Sequence, residues 1–146
     1  MAIGMAAEVV APLLLDTSAA VALVVQDHEA HEATLRAVHG QRLGLAGHAW
    51  FETYSVLTRL PGDRRRSPSD IAMLLAHDFP ASVFLGREEA VALGAELAQL
   101  GISGGAVYDA LVGAAAREHD CVLVSGDVRA RPVYDALGVR SRFVAK

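Results

Sequence analysis

The sequence predicts an α/β fold: one domain with a mainly parallel central sheet flanked by helices. Three observations predict it. A chain of 146 residues suits one core rather than two. Short apolar runs of strand length recur at 13–15, 43–47, 82–85 and 121–125, as expected for buried parallel strands. Between them lie longer stretches with helix starts and stops, and strands alternating with helices build parallel sheets.

Each element has its own signal. Residues 1–11 read as an N-terminal extension, with Met5 as an alternative start to Met1, and 12–146 as the domain. LLL (13–15) is the first strand, and Asp16-Thr17-Ser18 is a cap cluster opening a helix through AAVALVVQ. HEAHEATLRAVH (28–39) reads as an amphipathic helix stopped by Gly40. LGLAG (43–47) is a second strand, followed by a helix over 48–60 ended by Pro61-Gly62. Ser67-Pro68-Ser69-Asp70 starts a helix running to about Phe79, with proline where the first turn tolerates it. SVFL (82–85) reads as a third strand. REEAVALGAELAQLG is a helix with acids at its N-terminal end, as the helix dipole prefers. Three glycines between 101 and 105 stop that helix and restart another, with Ser103-Gly104 as its cap. That stretch is no phosphate loop, because the GK[ST] ending is missing. CVLVS (121–125) is the clearest strand; a short helix over about 132–137 and a last strand at SRFV complete the chain.

Composition excludes several classes. Charged residues at 21% and hydrophobic residues at 53% rule out a disordered chain. The hydrophobic excess hints at a buried partner surface. Thirteen basic against seventeen acidic residues leave −4, so there is no global basic footprint for nucleic acid. The single cysteine, Cys121, precludes an internal disulfide and fits a reducing, cytoplasmic setting. The apolar stretch 9–25 is broken by Pro12 and Asp16-Thr17-Ser18, so no membrane span is expected. Glu8 lies where a secretory signal would be basic, so no secretory signal is expected.

The run GGAVYDALVGAAA (104–116) poses the functional question. As a helix, it puts Asp109 on a stripe with Gly105, Ala106, Val112 and Gly113. Aspartate is a mediocre helix former, and a buried unpaired carboxylate is costly. Three further acids fall near the same place. Sites in open parallel sheets form at the carboxyl ends of the strands. Asp16 follows the first strand directly, and Asp127 follows the CVLVS strand by two residues. Glu52 lies early in the helix after LGLAG, and Asp109 lies early in the helix that leads into CVLVS. Taken singly, Asp16 also fits a helix cap, Asp127 turn chemistry, Glu52 a solvent edge and Asp109 a hydrogen-bonded structural acid. Together they call for neutralisation, since like charges in one place are unfavourable. A divalent cation supplies it. Hard oxygen donors without a Cys or His pattern favour Mg²⁺ or Mn²⁺ over zinc, and such ions promote phosphodiester hydrolysis.

The same residues carry a family resemblance. Asp16 in LLLDTSA, Glu52 in AWFETYSVLTRL, Asp109 in YDALVGAAA and Asp127 in LVSGD resemble the four acidic positions of PIN-domain ribonucleases, in particular the VapC-type toxins of bacterial toxin–antitoxin pairs. The resemblance covers residues 12–144 in order. It implies a single PIN-like domain and a metal-dependent endoribonuclease that cuts RNA, transfer or ribosomal, to arrest translation. By the same resemblance, Asp16, Glu52, Asp109 and Asp127 are the catalytic metal-binding acids. Thr17 or Ser18 orients the first acid, and Ser125 assists the fourth. It further implies Mg²⁺ with Mn²⁺ as the alternative, a homodimer, a cognate antitoxin and no membrane partner. The chain departs from the family after Asp127, where a second acid and an aromatic are common and Val128-Arg129-Ala130 stand here.

Other features compete for attention. Arg64, Arg65 and Arg66 form the densest basic cluster; guanidinium forks suit RNA phosphates, and a solvated loop tip explains them equally. Arg87, Arg129 and Arg131 are weaker candidates. His28 and His31, with Glu29 and Glu32, imitate a metal pair, but without HExxH they read as an exposed helix face. Trp50 and Tyr54 read as packing rather than base-stacking groups, and Cys121 as a buried, inert thiol. A phospho-acceptor module or a haloacid-type phosphatase needs a lysine near its aspartate, and the only lysine is Lys146. A PIN-fold nuclease of RNA maturation and a catalytically silent PIN-like binding module are the alternatives within the fold.

Overall fold

The computed structural model describes residues 10–145. The expected extension over 1–11 lies mostly outside these residues, as does the question of Met1 or Met5; Val10 and Ala11 are exposed coil. In chain order the elements are β1 (Leu13–Leu15), α1 (Thr17–Val24), α2 (His31–Val38), β2 (Leu43–Leu45), α3 (Ala49–Thr58), α4 (Pro68–Asp78), α5 (Arg87–Leu100), α6 (Ala106–Glu118), β3 (Leu123–Ser125), α7 (Arg131–Ala136) and β4 (Ser141–Phe143). Short 3₁₀ turns cover Gly62–Arg64 and Val128–Ala130.

The four strands form one all-parallel sheet in the order β2-β1-β3-β4. Alternate side chains leave its two faces. Leu14 and Leu123 join a cluster with Leu93 of α5, Ala110 and Ala114 of α6 and Tyr134 of α7. Leu13, Leu15, Leu45 and Val124 join another with Ala19 of α1, Val38 of α2, Leu57 of α3, and Ile71 and Leu75 of α4. The result is three layers, helix–sheet–helix. Leu14, Leu15, Leu45 and Leu123 are fully buried, and each such side chain stabilises the fold by about 1.5–3 kcal/mol.

Two helix ends follow their sequence signals. The Ser67 hydroxyl accepts the Asp70 N–H and Pro68 occupies the first turn of α4. Gly101 closes α5 in the left-handed conformation, φ 68°. Three expectations are corrected. Residues 82–85 are not a strand: only Val83 forms a bridge, with Ala46 just past β2. Backbone bonds Ala81 N–H to Leu43 O and Val83 N–H to Leu45 O begin a ladder. The Leu45 N–H, however, goes to the Ser82 hydroxyl at 2.9 Å rather than to a carbonyl, which interrupts the ladder before the Gly47 N–H meets the Val83 carbonyl at 2.7 Å. This segment lies so close that a Cβ on Gly44 would stand 2.3 Å from the Ala81 oxygen. Ser103 does not cap α6, whose N-cap is Gly105 without a side-chain bond. The helix expected over 28–39 begins only at His31, since His28 to Ala30 form turns in which the His28 ring accepts the Ala30 N–H.

The chain steps from β1 to β2 on one side, then crosses to β3 and β4 on the other. The direction switches between β1 and β3, and the crevice outside their carboxyl ends is where such sheets bind ligands.

Candidate functional site

Asp16 directly follows β1 and Asp127 follows β3 by two residues, so both stand at that crevice. Glu52 comes from the first turn of α3 and Asp109 from the first turn of α6. All four line one pocket of about 260 Å³, together with Thr17, Ser18, Val112 and Tyr134.

Each acid is held differently. Asp16 is 5% exposed. Its Oδ1 accepts the Ser18 hydroxyl at 2.6 Å and the Ala19 N–H at 3.1 Å, so it also caps α1. Its Oδ2 accepts the Tyr134 hydroxyl at 2.9 Å. The cap and pocket readings of Asp16 are therefore compatible. Glu52 Oε2 accepts the Thr17 hydroxyl at 3.2 Å, and Oε1 lies 3.2 Å from His48 Nε2. Of the two hydroxyls expected to orient Asp16, Ser18 does so and Thr17 serves Glu52 instead. The buried Ser125 hydroxyl accepts the Asp127 N–H at 3.0 Å. Asp127 Oδ1 in turn accepts the Arg129 N–H and Nε–H at 3.0 and 3.1 Å.

The Asp109 side chain makes no hydrogen bond or ion pair among the described residues. Burial raises its pKa to about 6, and the charges of Asp127, Asp16 and Glu52 add to the rise while Arg129 opposes it. The neighbouring carboxylates can raise it only by sharing its surroundings. Tyr134 responds to the same field: burial, then Asp16, push its phenol far above the ordinary range.

The donor chemistry fits a hard divalent cation: up to four carboxylates and no thiolate. No three Asp, Glu, His or Cys side chains among the described residues converge as a ready-made cage. Mg²⁺ does not need one, since it keeps several waters and takes one or two carboxylates plus substrate oxygens.

The remaining candidates lie elsewhere. Arg64 pairs with Asp27, and Arg65 Nε donates to the Leu60 carbonyl at 3.2 Å. Arg64 and Arg66 line a separate groove of about 370 Å³ with Val24, Leu57 and Ile71. That groove is at the far ends of α1 and α3, about 12 Å along α1 from Asp16 to Val24 and about 8 Å along α3 from Glu52 to Leu57 at 1.5 Å per residue. None of the three arginines lines the acid pocket. The Arg131 guanidinium lies 4.2 Å from the Phe143 ring centre, and Arg87 starts α5 in solvent. His28 and His31 are not an exposed helix face. Both are half-buried, and the His31 ring bonds the Ala22 carbonyl. Trp50 and Tyr54 stack on each other and pack against the core, as expected. Cys121 is buried, and burial raises its thiol pKa.

The PIN domain profile matches residues 13–135. The chain belongs to the PIN-domain family. It is similar to the ribonuclease VapC27 of Mycobacterium tuberculosis, at 48% identity over 128 residues, 88% of this chain and 93% of that one. Ribonuclease VapC40 of the same species is 40% identical over 131 residues, 88% of this chain and 96% of that one. The solved structure of FitAB bound to an IR36 DNA fragment contains a chain of like fold, with TM-score 0.61, 16% identity, and coverage of 90% of this chain and 94% of that one.

Three residues around the PIN pocket escape a reading by motif. Tyr134 reaches Asp16 across 118 positions, a pairing no local spacing announces. The inward i, i+3 pair Tyr134 and Leu137 of the short last helix is the only hint. Gly113 lets that ring approach α6: a Cβ there would stand 3.1 Å from Tyr134 Cδ1. His48 sits four residues before Glu52 and stacks on Tyr108 with ring centres 5.1 Å apart. Helical i, i+4 spacing carried that signal.

Proposed function

We propose that this PIN-domain protein is a metal-dependent endoribonuclease, the toxin of a VapBC-type pair, whose cutting of transfer or ribosomal RNA arrests translation. One observation carries the reading: four carboxylates from four segments line one pocket, and the side chain of one of them, Asp109, has no hydrogen-bonded or ion-paired partner among the described residues, with only the nearby Arg129 charge opposing the other three acids. The relatives named ribonuclease VapC support the same reading. The cytoplasm, a homodimer and silencing by a cognate antitoxin belong to this proposal.

Asp16, Glu52, Asp109 and Asp127 would hold Mg²⁺ or Mn²⁺. When bound, the ion supplies Lewis acidity toward a phosphodiester oxygen. The chain's own groups do the positioning. Ser18 and Tyr134 fix the two oxygens of Asp16, Thr17 and His48 fix those of Glu52, and Ser125 anchors the backbone of Asp127. Val112 and the Tyr134 ring give the pocket its apolar side.

Incubation of purified protein with end-labelled single-stranded and transfer RNA tests this. Cuts are expected with Mg²⁺ or Mn²⁺ and none in excess chelator. Equal cleavage under full chelation overturns the metal reading, and no cleavage with either ion overturns the nuclease reading.

A further inference from the structure

A second concavity of about 550 Å³ adjoins the acid pocket and shares Thr17, Ser18 and Asp127 with it. We propose that this pocket binds the nucleoside next to the scissile bond and so sets which bases are accepted there. The proposal rests on the ribonuclease reading above. A phosphodiester joins two nucleosides, so a phosphate held at the acids sends one nucleoside to each side. The concavity across the Thr17–Ser18 ridge is contiguous with the acids and receives one of them.

Its chemistry suits a base and sugar rather than a phosphate. Val21, Ala22 and Val56 give it apolar surface. Asp127 also lines it, and Arg129 is already engaged on Asp127, so a second anion is disfavoured. Its volume falls within the range of about 300–1,000 Å³ typical of small-ligand pockets. The polar specificity comes from His28. Its Nδ1 accepts the Ala30 N–H at 3.0 Å, which leaves Nε2 to carry the ring proton as a donor. Imidazole is also a stacking surface for an unpaired base. The fold keeps this ring half-buried in a turn ahead of α2 rather than in solvent.

The test uses His28→Asn in the full chain. Asparagine can still accept the N–H two residues on, as Asx turns do, so the turn is retained while the ring is removed. Adenosine and uridine, titrated into ¹⁵N-labelled protein in chelator, should shift the amides of Val21, Ala22, Ala30 and Gly126. The shifts should vanish in the variant. In metal, KM for single-stranded RNA should rise about tenfold, the loss expected for one base–aromatic stack, with kcat nearly unchanged. Nucleoside shifts that fall elsewhere or are absent overturn the pocket, as does a variant with parental KM. If the parent cuts no RNA, the function of the previous subsection fails, and the nucleoside titration alone decides the pocket.

Discussion

Helix α6 meets carboxylates at both ends, and it treats them in opposite ways. At its C-terminal end Arg117 donates Nη1 and Nη2 to the two oxygens of Glu96 on α5, at 2.9 and 2.8 Å, and Nη1 also donates to the Leu137 carbonyl. This bidentate bond holds Glu96 below its ordinary pKa. Two turns earlier Asp109 lies half-buried with no bond, and its pKa is raised to about 6. Both acids leave water in part, yet one meets a guanidinium and the other meets three more carboxylates. The first arrangement ties α5 to α6 and the last helix; the second raises the free energy of the folded state. A fold able to place Arg117 so well elsewhere leaves its crevice acids short of positive charge. That is the pattern expected where the missing charge comes from outside.

The largest effect expected from this contrast is on cleavage. Asp109→Asn keeps the volume but removes the charge, and RNA cleavage should fall at least about 100-fold. Arg117→Ala, checked to be folded, should cut RNA within about threefold of the parent. Rate measurements on both variants decide it. Comparable losses would erase the distinction between the two ends.

Stability against pH sharpens the contrast next, because the two shifts have opposite sign. Asp109 is raised, so its contribution in chelator is fully present below its ordinary value of 3.8 and is lost as pH rises through about 6. That loss amounts to at most about 3 kcal/mol, less where water screens the half-exposed group. Glu96 is lowered, so its contribution is present above its ordinary value of 4.5 and is lost as pH falls through the folded value. Urea melts between pH 3 and about 7 should therefore show two limbs. Asp109→Asn should flatten the fall toward neutral pH. Arg117→Ala should flatten the fall toward acid and lower stability at neutral pH by about 1–3 kcal/mol. A parent whose stability climbs steadily from pH 4 to 7 contradicts the Asp109 shift.

The sequence shows these features unevenly, for physical reasons. β1, α4 and α5 are legible because their signals are local: a three-leucine run, the Ser67 cap with Pro68, and a left-handed glycine at 101. Asp16 and Asp127 are legible because each follows a strand, and parallel strands bring their ends to one edge. Residues 82–85 mislead because their composition suits a strand, while the Ser82 hydroxyl takes the Leu45 N–H and leaves only the Ala46–Val83 bridge beyond it. Composition cannot report that competition. Tyr134 is silent in sequence since its role depends on a contact between α7 and the end of β1, and on the absence of a Cβ at Gly113. His28 misleads because a helical period continues back through a turn that the chain closes before α2 begins.

The smallest effect bears most directly on Asp109. Were it a structural acid, Asp109→Ala would delete hydrogen bonds, leave buried partners unmade and cost about 1–3 kcal/mol. Its side chain makes no such bond among the described residues, and burial first, then three carboxylates, raise its pKa. In chelator the substitution therefore removes a desolvated charge and its repulsion from the other acids, and alanine adds a few tenths of a kcal/mol of helix preference. The variant should melt at the parental temperature or slightly above it near neutral pH. At acid pH, where Asp109 is protonated in the parent, the advantage should shrink toward the helix term alone. Added Mn²⁺ should reverse the order, since an ion bound only to the folded state stabilises it by about 2.7 kcal/mol at a hundredfold excess over Kd. The parent should gain that and the variant much less. Thermal melts of both proteins at two pH values, with chelator and with Mn²⁺, give the whole pattern. A variant melting well below the parent in chelator would mean that Asp109 holds the fold, and the two ends of α6 would then differ only in partner.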